Sequence, residues 1–325
     1  MTGSRAYAPG TMRRVSFGVS VGSFAAGLVS GPTLLDWAEL SERLGYEIFW
    51  YRDHVLWHSP VLDPFTTLGA VAGRTSRMRL APGVLLLPLR QPALVAKAIA
   101  TLDVISSGRA MLGAGIGGEF PKEFEVVGVP PTERGRRADE ALEAIRRLWT
   151  TSPASFKGEF YAFDDVVMLP PPVQRPHPPI WVGGRSDAAL RRAARFGDAW
   201  LAYFVSPRRF RESLDKIATA RDGRACGAGL ILYVCVAPTR EDARTAAAQY
   251  LANEYRQSFD AMVDRFCALG SPADCAETIR GFADAGVEHF AVIPTVPPVQ
   301  VPEQLARVAE EIVPAFAQRS IRGGS

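Results

Sequence analysis

The chain has 325 residues, 37 basic against 34 acidic, a formal charge of +3, and it is 47% apolar, 22% charged and 10% aromatic. That composition excludes disordered, collagen-like and coiled-coil classes, and the length suits one large α/β domain or two smaller ones. So small a net charge, with no long run of like charges, argues against nucleic acid as a partner.

Taken in chain order, short apolar strands alternate with longer amphipathic helices. Residues 1–13 read as an N-terminal tail. Arg13-Arg14 ahead of Val15 superficially resembles a secretory signal. VSFGVSVG, however, alternates with a period of two and is broken by Gly and Ser, which is a strand pattern. This first strand, over 15–21, leads to a helix over 33–44, and a second strand, EIFWY, ends at Asp53-His54. A helix over 64–75, the strand MRLAPGVLLL, a helix over 92–105 and the strand RAMLGAG follow. The helix over 134–149 is among the clearest, with Glu140, Glu143, Arg146 and Arg147 on its wet side. The Pro-rich LPPPVQRPHPP reads as a loop before the fifth strand, IWVGG. Next come a helix over 186–195, the strand DAWLAYF, a helix over 207–221 and the strand LILYVCVAP. One long helical region over 240–269, a helix over 272–285, the strand HFAVIP and a helix over 302–317 complete the pattern.

Eight strands alternating with helices imply parallel strands and right-handed crossovers. The expected fold is therefore α/β, a (β/α)8 TIM barrel in a single domain over 14–318, with a C-terminal tail over 319–325. A doubly wound open sheet is the structural alternative. No segment offers about 18 uninterrupted apolar residues, so no membrane span is expected and the location is taken as cytoplasmic. Cys226, Cys235, Cys267 and Cys275 form no C-x-x-C pair and read as reduced, mostly buried thiols. A structural disulfide or zinc site is the alternative there.

Two well-known patterns fail on context. Gly18-Val19-Ser20-Val21-Gly22 spells G-x-S-x-G, but it lies at the first strand, where no nucleophile elbow belongs. The G-x-G-x-x-G at 113–118 is followed by Pro121 and a loop, and Asp139-Glu140 fall inside a helix, so it is not a dinucleotide fingerprint. Its glycines instead bring backbone close to something flat or bulky at the carboxyl end of strand four, the barrel face that carries chemistry. At the same end of strand five, Val182-Gly183-Gly184-Arg185-Ser186 precedes a helix. Free backbone N–H groups there make a phosphate cradle, with Ser186 as cap or ligand; a plain turn and cap is the other reading.

At the end of strand two, Asp53-His54 places a carboxylate beside an imidazole, one of four histidines in the chain. This pair is suited to acid–base work or to bonding a heteroaromatic ring, against the alternative of a capping Asp and a surface His. His54 and His58 are spaced like metal ligands, but Val55 stands where a zincin needs Glu, so no metal is expected. Glu119 and Glu123 are candidate proton donors or solvated loop acids. Trp50, Trp57 and Trp181 are candidates to wall a planar ligand or to pack the core.

These pieces together resemble the luciferase-like flavin and deazaflavin oxidoreductases, a (β/α)8 superfamily. The resemblance rests on YRDH, DPFTTLGAVAGRTSRMRLAPGV, ISSGRAMLGAGIGGEFPKEFEVVGVPPTERGRRADEALEAIRRLW, FKGEFYAF, PPIWVGG, AALRRAARFGDAW, GSPADCAETI and AGVEHFAVIP, in that order. It implies a planar tricyclic cofactor across the barrel mouth, near Asp53, His54 and the strand-three end. It also implies a non-prolyl cis peptide at Gly83-Val84, cofactor contacts at Gly115-Ile116, and phosphate on Val182, Gly183, Gly184 and Ser186. Arg134, Arg137 and Glu140 match the family's arginine-rich helix start and look structural. The D-H pair is similar to the branch using coenzyme F420, a deazaflavin that moves a hydride without activating oxygen. Gly118 before Glu119, and the absence of a lysine-rich clamp, depart from that branch's sugar-phosphate dehydrogenases.

The resemblance thus implies an F420-dependent oxidoreductase acting on a small organic molecule, with Asp53, His54 and Glu119 as catalytic candidates. An FMN-dependent monooxygenase using reduced flavin and oxygen is the alternative, and a non-catalytic flavin-binding barrel a further one. Expected partners are a second copy in a homodimer and a flavin or F420 reductase supplying cofactor. The substrate-determining loops are expected at 22–32, 55–63, 116–133 and 294–300.

Overall fold

The first barrel strand, β1 (Ser16–Ser20), is flanked on both sides by strands from opposite ends of the chain. The computed structural model of the protein describes residues 15–21 and 27–316. Seven more barrel strands follow: β2 (Ile48–Tyr51), β3 (Arg79–Pro82), β4 (Leu112–Gly115), β5 (Ile180–Gly183), β6 (Ala199–Tyr203), β7 (Gly227–Val236) and β8 (His289–Pro294). Every pairing among them is parallel, and β8 closes on β1 through Ser16↔His289 to Val19↔Val292. Between β3 and β4 the closure is a single bridge, Leu80↔Ala110. The expected TIM barrel is the fold observed.

Helices α1 (Gly31–Arg43), α2 (Pro64–Arg74), α3 (Pro92–Ile105), α4 (Pro121–Val127), α5 (Arg134–Thr150), α6 (Asp187–Phe196) and α7 (Pro207–Ala220) surround the first six strands. In the last third come α8 (Arg240–Tyr255), α9 (Val263–Phe266), α10 (Pro272–Asp284) and α11 (Val301–Arg307). Many starts share one local grammar. Asp63-Pro64, Ser206-Pro207 and Ser271-Pro272 each put a capping side chain on a free backbone N–H, with proline where no N–H is needed.

The barrel interior is filled by large aromatic rings set against glycines. Trp50, Trp181 and His289 pack together with ring centroids 5.3–5.8 Å apart. A Cβ on Gly113 would lie 2.1 Å from the Pro82 carbonyl and 3.2 Å from Trp50, and one on Gly229 would lie 2.5 Å from Trp181. Trp50 and Trp181 are therefore core and do not wall a ligand. The Trp50 indole donates to His289 Nε2 at 3.0 Å, so the His289 proton sits on Nδ1 and is given to Ser16 Oγ at 2.8 Å. Burial lowers His289 to about 3, and the ring is neutral.

Several expectations need correction. The strand MRLAPGVLLL breaks at Gly83-Val84: β3 pairs with β2, while the short strand Leu85–Leu86 pairs with β4. The long helix over 240–269 ends at Tyr255, where Arg256 turns left-handed with φ +54°. Beyond α9, Cys267–Gly270 is a strand paired with β7. The last helix tightens and widens after Arg307, because Pro314 has no N–H to continue it. Helix α4 and a hairpin, Ala154–Lys157 with Ala162–Val166, had no counterpart in the sequence reading. Glu140 caps that hairpin by accepting the N–H groups of Glu159, Phe160 and Tyr161. The tails over 1–13 and 319–325, and part of the 22–32 loop, lie outside the described residues. The four cysteines carry free thiols, Cys226 half-buried and the other three buried.

Candidate active site

The carboxyl ends of the strands surround a cavity of about 340 Å³. Val84 rises into its floor, and the Gly83–Val84 peptide bond is cis. A Cβ on Gly115 would lie 2.4 Å from Val84, and one on Gly183 would lie 2.9 Å from it. Glycine at the ends of β4 and β5 is thus what makes room for this valine.

At one end of the cavity, β5 runs into α6 through Gly184-Arg185-Ser186. Gly184 has φ +122°, and a Cβ on it would lie 2.7 Å from that of Ala189. Its own N–H is committed to the Leu201 carbonyl at 3.2 Å. Ser186 Oγ accepts from the Ala189 N–H at 3.2 Å and caps α6. The N–H groups of Arg185 and Ser186 have no acceptor among the described residues. Arg185 lies over the Tyr203 ring at 5.2 Å and donates to the Phe204 carbonyl at 3.0 Å. Free N–H groups, a helix N-terminus and an arginine together favour an anion there.

At the other end sit Asp53 and His54. Asp53 is buried and accepts from the Leu86 N–H at 2.9 Å and from Arg90 at 2.6 and 3.1 Å. Its carboxylate ties the end of β2 to the segment after β3. His54 Nδ1 lies 2.9 Å from Glu123 Oε1, and Glu123 Oε2 accepts the Val55 N–H at 2.8 Å. Trp57 stacks on the imidazole with centroids 4.0 Å apart. As a carboxylate, Glu123 only accepts, so Nδ1 is the donor to it and Nε2 is the ring nitrogen turned away from the pair. Nε2 has no partner among the described residues.

The remaining wall joins β2, β7 and α8. Arg52 Nη1 is ion-paired with buried Glu254, which also accepts the Trp57 indole N–H at 2.8 Å. Burial alone would lower the Arg52 guanidinium, but Glu254 outweighs it and holds the group above its ordinary value. The Tyr233 and Tyr255 hydroxyls meet at 2.8 Å, and Tyr203 donates to Glu119 Oε1 at 3.2 Å. Burial first, and then Glu119, push Tyr203 up to about 12.

Asp53, His54, Gly83, Val84, Gly115, Ile116, Glu119, Gly183, Gly184 and Ser186 all line the cavity. Val182 does not: it is fully buried beneath the floor, because its side chain points into the layer between strand and helix. His58 is exposed and packs on Trp57 and Phe120. The sequence reading missed Arg52, Arg185, Glu254 and the four tyrosines 203, 233, 250 and 255, all on the lining. Arg52 and Arg185 had a signal, since each adjoins a motif at a strand end. Glu254 had none, being 202 residues from Arg52.

A family model described as Luciferase-like monooxygenase matches residues 16–289. An FMNH2-dependent dimethylsulfone monooxygenase of Pseudomonas putida is 35% identical over 195 residues, which is 58% of this chain and 53% of that protein. The monooxygenase RslO1 of Streptomyces bottropensis superposes with a TM-score of 0.83 at 25% identity, covering 93% of this chain and all of its own. An F420-dependent secondary alcohol dehydrogenase, solved with an F420-acetone adduct, shares the fold at a TM-score of 0.81 and 18% identity, over 93% of this chain and 99% of that one. The chain spans about half the length of the curated relatives it matches at 35 and 43% identity. It belongs to the luciferase-like monooxygenase family of oxidoreductases.

Proposed function

We propose that the chain is a coenzyme F420-dependent oxidoreductase that moves a hydride to or from a small organic substrate, with His54 handling the accompanying proton. The His54–Glu123 couple carries this reading: a buried carboxylate fixes the imidazole, and Nε2 is left beside the cavity. Interconverting an alcohol and a carbonyl needs a proton carrier as well as a hydride carrier, and an oriented histidine serves the first need. When bound, the deazaflavin supplies the hydride donor or acceptor.

The residues present fit such a cofactor. Glycine at 115, 183 and 184 keeps the floor and the cradle clear of side chains, and Val84 offers an apolar surface behind a planar ring. The N–H groups of Arg185 and Ser186, with the Arg185 guanidinium, take the phosphate. Asp53, saturated by Arg90 and Leu86, positions the end of β2, while Glu119 and Tyr203 form a second proton-handling pair at the exposed rim. A reductase that recycles the cofactor, a homodimer and a cytoplasmic location belong to the same reading.

A second reading, an FMN-dependent monooxygenase, is favoured by one observation. The lining contains Arg52 and Arg185 but no lysine, which suits a single terminal phosphate better than a cofactor with a longer anionic tail. Relatives on both sides leave the choice to experiment. Purified protein mixed anaerobically with F420 and a panel of simple alcohols and ketones is expected to change the cofactor's absorbance. Oxygen uptake with reduced FMN, and no reaction with F420, would overturn the first reading in favour of the second.

A further inference from the structure

Two charged groups on the cavity wall, Arg52 and Glu254, have no part in the F420-dependent reaction proposed for the cavity. Arg52 follows β2, and its guanidinium lies over Trp57 at 5.4 Å from the ring. Only its Nη1 is engaged by a described residue, the carboxylate of Glu254. Glu254 is 1% exposed in its side chain and Arg52 is 17% exposed, so the pair faces the cavity from the arginine side. Tyr233, Tyr250 and Tyr255 border the same wall.

The electrostatics of this wall are specific. An uncharged oxygen acceptor meeting the free N–H groups of Arg52 gains charge-assisted hydrogen bonds, which need no net positive potential. An anion at the same place meets the Glu254 carboxylate directly behind the guanidinium. Glu254 is withdrawn from solvent, so salt screens that repulsion only weakly. Glu119 at the rim adds a further negative charge, and Arg185 belongs to the phosphate end. Among the described residues on the lining, Asp53 is matched by Arg90, which leaves Arg52 against Glu254 and Glu119 once Arg185 is assigned to the phosphate end.

We infer that the substrate is an uncharged molecule whose carbonyl or hydroxyl oxygen is held by Arg52 beside the Tyr233–Tyr255 hydroxyl pair, and that Glu254 is the residue that rejects anions. This deepens the reading of the cavity as a substrate and cofactor site, and rests on it. Glu254 acts through Arg52 and does not touch the substrate; it determines specificity by cancelling a charge that any carboxylate would otherwise find.

The test uses three probes of one shape: benzamide, benzoate and benzylammonium. Binding is measured by calorimetry on the purified protein with inorganic phosphate present to saturate the cradle. Benzamide is expected to bind about ten-fold or more tighter than benzoate, and Glu254→Gln to erase or invert that ratio, because Arg52 is then uncompensated. Equal binding of benzamide and benzoate to the unaltered protein, or an unchanged ratio in Glu254→Gln, overturns the inference. Should Glu254→Gln fail to fold, Arg52→Gln tests the pair from the other side. It removes the arginine from Glu254 and is expected to raise benzylammonium affinity about ten-fold. An unchanged value there overturns the inference equally. Cofactor binding, titrated separately, distinguishes the two failures. Tight F420 or FMN binding without charge selectivity sinks this inference alone, whereas selectivity without binding of either cofactor sinks the functional reading and supports this one.

Discussion

His54 Nδ1 lies 2.9 Å from Glu123 Oε1, and the other oxygen of that buried carboxylate holds the Val55 N–H at 2.8 Å. The second bond fixes the carboxylate to the backbone beside the histidine, so the imidazole is held in one orientation with Nδ1 toward Glu123. Glu123→Gln keeps the shape but supplies an amide that can donate as well as accept. Nitrogen-15 NMR of the ring is expected to show Nδ1–H alone in the natural protein and both tautomers in the variant. Turnover should fall about ten-fold or more, with cofactor affinity within about two-fold. Unchanged turnover would remove Glu123 from any positioning role.

The phosphate end is tested by Arg185→Ala and Gly184→Ala. The first removes the guanidinium over Tyr203, and the second places a methyl 2.7 Å from Ala189 at a left-handed residue. Each is expected to weaken the cofactor dissociation constant about ten-fold, and the loss from Arg185→Ala should shrink as salt is raised. Fluorescence titration across ionic strength reads both effects. Natural affinity in Arg185→Ala would place the phosphate elsewhere.

His289 gives a pH dependence whose sign is fixed by burial. Its folded value of about 3 lies below the ordinary 6.5, so the neutral ring is favoured by folding. That stability is fully present above pH 6.5 and is lost as the pH falls toward 3, where the unfolded chain takes up a proton that the native barrel refuses. The expected slope is about 1.4 kcal/mol per pH unit in that window. Urea unfolding should lose this component in His289→Gln, which keeps hydrogen-bonding capacity without titrating. An identical slope in the variant would assign the acid sensitivity to other groups.

Glycines in the barrel and in the helices should respond oppositely to a methyl. Gly113→Ala meets the Pro82 carbonyl and Trp50, and a loss of about 1–3 kcal/mol or more is expected. Gly69→Ala, mid-way along α2 with nothing within 4 Å of the new Cβ, is expected to gain about 0.5–1 kcal/mol. Paired urea titrations check the contrast, and a destabilised Gly69→Ala would refute the open-space argument for that helix.

The alternation of strands and helices was legible because each short apolar run is bounded by glycine, proline or a capping residue, as at Asp63-Pro64 and Ser271-Pro272. Motifs at strand ends were legible for the same reason, which is why Asp53, His54, Gly183 and Gly184 were found. What failed depended on distant partners. MRLAPGVLLL is one apolar run, and only pairing to different neighbours divides it at Gly83. CALG is too short to be told from helix by periodicity, so Cys267–Gly270 was absorbed into the helix before it. Glu123 stands out as the holder of His54, and Glu254 as the partner of Arg52, only once the barrel brings elements 69 and 202 residues apart together.

The central claim, a deazaflavin lying over Val84 with its phosphate at Arg185 and Ser186, is tested most directly by fluorescence titration of the purified protein. Oxidised and reduced F420 and FMN are each titrated against the natural protein and Arg185→Ala. Micromolar binding of F420, weakened in the variant, is the predicted result. Binding of FMN with no binding of F420 would contradict it.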